Sequence, residues 1–136
     1  MADFMLAHPN VTTGISFHSY ADLILYPYGY TYEDIPPDMT PLDHATFVAM
    51  GAEMERTTGY HAQLSSDLYI TDGDWNDWMY GTLHPYPITI ELSGGGWGFY
   101  PPDEFIAGES LRNHKAAIFD AQIADCPTKI VGTPCS

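Results

Sequence analysis

Val11-Thr12-Thr13-Gly14-Ile15-Ser16-Phe17-His18-Ser19-Tyr20, followed by Leu23-Ile24-Leu25-Tyr26, decides how the chain is read. Residues 11–17 are rich in β-branched and apolar side chains, which predicts a strand running into His18-Ser19-Tyr20. Leu23 to Tyr26 reads as a second, fully apolar strand. Residues 27–40 hold Pro27, Pro36, Pro37, Gly29 and three tyrosines, the composition of an ordered irregular loop. Thr40-Pro41 is a strong helix start, a hydroxyl cap followed by proline at the first helical position. Leu42, Ala45, Val48, Ala49 and Ala52 keep helical spacing, and Gly59 is a stop. Residues 60–64 read as a strand, 74–80 as a short helix, and Pro87-Ile88-Thr89-Ile90-Glu91-Leu92 as a strand. A glycine-rich loop, 93–98, follows. Pro101-Pro102-Asp103-Glu104 opens a final helix with acids at its positive end, and Phe105, Leu111, Ala117, Ile118, Ala121 and Ile123 supply its apolar side. Strands interleaved with helices indicate one α/β domain over residues 1–136 with a mixed sheet, and such sheets carry chemistry at strand ends.

The composition narrows the function. The chain is 45% hydrophobic and 14% aromatic, enough apolar matter for a core. Four Lys and Arg against 18 Asp and Glu give a formal charge of −14, which repels phosphates and excludes nucleic acid as a partner. No apolar run approaches the ~20 residues of a membrane span, and the N-terminal residues do not have the form of a signal peptide. Cys126 and Cys135 are too few to build a structural zinc site, which needs four ligands. They are either free thiols or a disulfide. Pro127 and Pro134 restrain the chain between them, which favours the disulfide and with it export.

His18 follows a predicted strand, where imidazole is a well-aimed metal ligand, although a lone histidine there is more often structural. Glu91 stands at a strand end beside a glycine loop, a place suited to a general base; a solvated carboxylate is the plainer reading. Asp72-Gly73-Asp74-Trp75-Asn76-Asp77 begins like a calcium loop, but Asp77 stands where glycine is needed and Leu83 where a bidentate Glu is needed. Tyr26-Pro27-Tyr28-Gly29-Tyr30 reads as aromatic packing of a loop more than as a binding platform. Ser19 lacks a Gly-x-Ser-x-Gly elbow, so a serine triad is poorly supported.

Several segments resemble the zinc carboxypeptidases of the carboxypeptidase A and T type. Ile15-Ser16-Phe17-His18-Ser19-Tyr20 is similar to the segment bringing the third zinc ligand, and Leu25-Tyr26-Pro27-Tyr28-Gly29-Tyr30 to the stretch after it. Leu68-Tyr69-Ile70-Thr71-Asp72-Gly73-Asp74 resembles the mobile loop with a substrate-capping tyrosine, and Asp77-Trp78 the short helix beyond. Ile88-Thr89-Ile90-Glu91 resembles the strand bearing the catalytic glutamate; Gly98-Phe99-Tyr100-Pro101-Pro102 and the final helix follow in order. The resemblance implies part of a mixed-sheet α/β/α zinc-carboxypeptidase-like fold acting on peptide or protein C-termini. It makes His18 a zinc ligand and Glu91 the general base. Tyr69 would close over the terminal residue, Ser19 and Tyr20 would line the peptide groove, and Leu25, Asp74, Asn76 and Thr89 would surround the side-chain pocket.

The departures are as informative. The family's other zinc ligands come from a His-x-x-Glu motif, and none of His8, His18, His44, His61, His84 or His114 has Glu three residues on. The only arginines, Arg56 and Arg112, lie outside any matching carboxylate-binding motif. The glycine loop after Glu91 is shorter than the family's. The expectation is the C-terminal half of a secreted carboxypeptidase domain with an incomplete zinc site, inactive alone and inclined to self-associate through an exposed sheet edge. The alternative is an acidic interaction module that kept the half-fold and lost catalysis.

Overall fold

The computed structural model describes residues 1–135. The elements run α1 (Ala2–Leu6), β1 (Thr13–Ser19), β2 (Leu23–Tyr26), α2 (Pro41–Thr58), β3 (His61–Leu64), α3 (Ser65–Leu68), α4 (Trp75–Leu83), β4 (Tyr86–Leu92), α5 (Phe105–Ile123) and a 3-10 turn, Pro127–Val131. The four strands form one mixed sheet in the order β1-β4-β2-β3. β1 lies parallel to β4, β2 antiparallel to β4, and β3 parallel to β2. The α/β class with a mixed sheet therefore holds. α1, α3 and the 3-10 turn are additions to the sequence reading. β1 runs on to Ser19, so His18 lies inside its last residues rather than beyond them, while β4 ends at Leu92 as expected with Glu91 next to last.

Local signals set the helix ends. The Thr40 hydroxyl accepts from the Asp43 amide at the start of α2, and Gly59 closes it in the left-handed region at φ 77°, which only glycine enters without a steric cost. α5 starts at Phe105, later than its Pro-Pro-Asp-Glu lead suggests. Glu104 makes no side-chain cap and no acid lies in the first turn.

Burial on both long helices corrects the sequence reading. On α2 the buried stripe is Thr46, Phe47, Met50, Gly51, Met54 and Thr58. The other stripe, with Leu42, Ala45, Val48 and Ala52, faces outward. α2 is apolar on two sides, and the longer Phe and Met side chains fill the space over the sheet. Gly51 admits the close approach: a Cβ there would stand 3.0 Å from that of Ala62. On α5 the buried residues are Asn113, Ala116, Asp120 and Ile123, while Leu111 is 65% and Ile118 45% exposed. Asn113 is held by a polar neighbour, donating to the Tyr60 hydroxyl at 3.1 Å. A hydrophobic spacing rule cannot foresee that a helix will bury such a polar line.

The core lies between these helices and one face of the sheet, with Ile24, Tyr26, Phe47, Met50, Met54, Tyr80, Tyr86, Ile88, Ile90 and Ala116. Asp43 braces it, accepting from the hydroxyls of Tyr80, Tyr86 and Thr40. Burial opposes its charge, but the bonds from Tyr86, Thr40 and Tyr80 win and hold the carboxyl below its ordinary range. The tail is pinned by the expected Cys126–Cys135 disulfide. Among the described residues no helix is long and apolar enough to cross a membrane.

Candidate active site

Side chains alternate across the sheet, so each strand feeds both faces. In the β1–β4 register His18 stands beside Glu91, and on its other side Glu91 faces Leu23 of β2. The His18 Nδ1 lies 3.6 Å from the Glu91 Oε1, with the imidazole half exposed and the carboxylate largely shielded. They share a cavity of about 220 Å³, lined also by Leu25, Ser65, Leu68, Tyr69, Thr71, Asp74, Trp75, Asn76 and Thr89.

The base of this cavity is rigid. Asn76 is 2% exposed; its Nδ2 donates to the Leu25 carbonyl at 3.1 Å and its Oδ1 accepts from the Thr89 hydroxyl at 3.1 Å. One uncharged side chain thus ties α4 to β2 and β4, and its fully engaged amide cannot turn without breaking a buried bond. Ser65 donates to the Tyr26 carbonyl at 3.1 Å, closing the cavity on the β3 side. Asp74 caps α4, accepting from the Asp77 amide at 2.7 Å. Its charge is therefore committed in part to the helix N-terminus.

Asp77 fixes the loop above. Its carboxylate accepts from the amides of Gly29 and Tyr30 at 2.8 and 3.0 Å. Burial nevertheless pushes it up to about 6, with the nearby Asp74 and Asp38 adding to the rise and the two amide bonds opposing it. The Thr71 amide donates to the Gly29 carbonyl at 3.0 Å, so the segment carrying Tyr69 is tethered to the same loop. Tyr69 itself is 63% exposed at the rim.

The structure thus brings His18, Glu91, Leu25, Tyr69, Asp74, Asn76 and Thr89 to one cavity. Ser19 and Tyr20 are placed elsewhere. Ser19 follows His18 by one residue, so alternation turns it to the opposite face, into a larger groove of about 590 Å³ between β1 and α5. Tyr20 packs edge-on against Phe99, beside Gly94 and Gly98. Ser65, Thr71 and Trp75 also line the cavity, though none was singled out from the sequence. Thr71 and Trp75 fall inside segments quoted above, Leu68 to Asp74 and Asp72 to Asp77, whereas Ser65 had only its position just past a predicted strand as a signal.

Among the described residues no three His, Cys, Asp or Glu side chains gather as a metal site. His18 and Glu91 alone do not fit a resident catalytic zinc, which takes three protein ligands and an open position. What the pair does offer is an imidazole and a carboxylate that share the mouth of a cavity whose base is uncharged.

A model of the zinc carboxypeptidase family matches residues 1–116. A zinc carboxypeptidase from Saccharothrix mutabilis subsp. capreolus is 39% identical over 127 residues, covering 92% of this chain and 29% of that protein. Carboxypeptidase A1 of Rattus norvegicus is 36% identical over 105 residues, 75% of this chain and 25% of that one. Among solved structures, thrombin activatable fibrinolysis inhibitor aligns with a TM-score of 0.75 and 27% identity, over 94% of this chain and 33% of that one. The bovine form in complex with tick carboxypeptidase inhibitor gives 0.67 and 28%, over 94% of this chain and 44% of that one. The chain spans less than half the length of each of these proteins.

Proposed function

The chain belongs to the zinc carboxypeptidase family, and from that premise we propose that it carries the part of a carboxypeptidase catalytic domain holding one metal-ligating histidine, the general base and the pocket for the substrate's terminal side chain. The observation that carries this is the single cavity in which His18 and Glu91 meet Leu25, Tyr69, Asp74, Asn76 and Thr89. His18 is the ligand for the family's zinc. Glu91 accepts a proton from the attacking water and returns it to the leaving amine. Tyr69 covers the terminal residue. The other metal ligands are not among the described residues, so this chain acts with groups it does not itself supply; alone it holds no stoichiometric zinc and cleaves nothing. The family match and the formed cavity support this reading over that of an interaction module. The disulfide supports an exported protein.

The substrates are the C-termini of peptides or proteins. Asn76 and Thr89 at the base are neutral and spent on each other and on the Leu25 carbonyl, so the pocket takes neutral, apolar or aromatic terminal residues. Asp74 gives some tolerance for Lys or Arg, weakened by its role as a helix cap. The test is nuclear magnetic resonance titration with peptides ending in Phe, Leu or Arg, beside zinc dialysis and a peptidase assay. Expected are shifts at Leu25, Tyr69, Asn76 and Thr89 for Phe and Leu, weaker ones for Arg, and neither zinc retention nor cleavage. Absence of shifts around the cavity would reject the pocket, strong preference for Arg the specificity, and zinc-dependent cleavage the incompleteness.

A further inference from the structure

Asp77 acts on more than the loop it touches. Its carboxylate accepts from the Gly29 amide through both oxygens, at 2.8 and 3.1 Å, and from the Tyr30 amide at 3.0 Å. Those two N–H groups belong to consecutive peptide units, Tyr28–Gly29 and Gly29–Tyr30, both of them trans. A trans unit is planar and points its carbonyl opposite to its N–H. Each of the two carbonyls meets an amide of the segment that carries Tyr69. The Ser66 amide donates to the Tyr28 carbonyl at 3.2 Å, and the Thr71 amide to the Gly29 carbonyl at 3.0 Å. Two rigid planes thus have Asp77 on one side and Ser66 and Thr71 on the other, and Tyr69 lies in the chain between those two anchors.

The packing leaves this arrangement little slack. A Cβ at Gly29 would stand 2.9 Å from the Thr71 Cγ2 and 3.1 Å from the Asp74 Oδ2, so the turn and the rim are already in contact. Among the described residues the Thr71 amide is the one backbone group of residues 69–73 hydrogen-bonded to another segment. A carboxylate suits the opposite side of the planes. Its bonds to N–H groups are roughly twice as strong as neutral ones, and a charge at the N–H end polarises the unit and strengthens what its carbonyl accepts. The charge is held at a cost, because Asp77 is half-buried and, among the described residues, Arg56, Arg112 and Lys129 are paired elsewhere. Asn76 precedes it on α4, so one turn of helix forms the floor of the cavity and holds its rim.

We propose that Asp77 is a positioning residue for the rim of the cavity. Through the two peptide units of residues 28–30 it sets where Tyr69 stands relative to the floor formed by Asn76, and with that the grip on a substrate's terminal residue. The grip rests on the reading of the cavity given under Proposed function, whereas the placement of residues 66–71 stands on the hydrogen bonds alone.

Amide exchange of the chain without ligand tests the placement. In the wild type the Gly29, Tyr30, Ser66 and Thr71 amides should exchange through one common opening. Asp77→Asn puts an NH2 group where an oxygen accepted. It should cut the protection of the Ser66 and Thr71 amides roughly 10- to 100-fold, although neither amide bonds to residue 77. Asp72→Asn, at an exposed acid of the same loop, should change neither. Binding of a Phe-ended peptide, followed by nuclear magnetic resonance, tests the grip. Asp77→Asn and Tyr69→Ala should each weaken it by about 10-fold, and the double variant should bind no worse than either, because both remove the same contact. Independent exchange of the four amides in the wild type would overturn the proposal. So would unchanged protection in Asp77→Asn, an equal loss in Asp72→Asn, or losses in binding that add in the double variant. If Asp77→Asn fails to fold, the common opening in the wild type decides. If the wild type binds no peptide, the pocket reading fails by itself and the exchange data alone decide the role of Asp77.

Discussion

Asp120 makes the pH dependence of stability predictable at one position. It sits on α5, 8% exposed, with its Oδ1 buried and without a hydrogen-bond partner. Burial raises its carboxyl from 3.8 to about 6, the Thr13 hydrogen bond opposing the rise. Between those values the folded chain binds a proton that the unfolded chain has lost, so folding stability falls as pH rises from about 4 to about 6 and is level above. At ~1.4 kcal/mol per pH unit the full penalty is about 3 kcal/mol. Asp120→Asn keeps the shape and an acceptor for Thr13 but cannot ionise. Allowing for the new buried amide, it should stabilise the fold by about 2 kcal/mol at pH 8, raising the melting midpoint by roughly 8 °C. At pH 4, where wild-type Asp120 is itself largely protonated in the folded chain, the two should melt together or the variant slightly lower. Thermal melts of both proteins at pH 4, 5, 6, 7 and 8 give the difference directly, and the many other acids cancel in the comparison. A difference that does not change between pH 4 and pH 8 would refute the argument, because it would mean Asp120 keeps its charge in the fold at no cost.

Two further outcomes follow from single contacts. Asn76→Ala leaves the Leu25 carbonyl and the Thr89 hydroxyl without their partner, and should cost about 2–3 kcal/mol in denaturant unfolding; a loss under about 0.5 kcal/mol would show the bonds are replaceable. Reducing Cys126–Cys135, nine residues apart, should cost about 2.5 kcal/mol and add the two thiol hydrogens to the intact mass, whereas thiols freely alkylated before reduction in protein made under oxidising conditions would reject the bridge.

The sequence by itself determined what depends on neighbours along the chain. Thr40-Pro41 and Gly59 mark α2 because a hydroxyl cap, a preset φ and a left-handed stop act within a turn of their own position. Alternating apolar residues mark β1 and β4, and with them the strand ends where His18 and Glu91 stand. The short proline-flanked loop was enough to favour the disulfide. The tertiary structure alone decided which side of each helix is inside. α2 and α5 carry apolar residues on more than one face, and the winner is the face that meets the sheet, a property of packing between segments far apart in sequence. The same holds for the site. Nothing along the chain says that Asn76 will bond a carbonyl 51 residues away, or that Ser65 will close the cavity. Ser19 shows the difference within one dipeptide: its place beside His18 is local, but a strand turns consecutive side chains to opposite faces, and the two faces of this sheet hold different cavities.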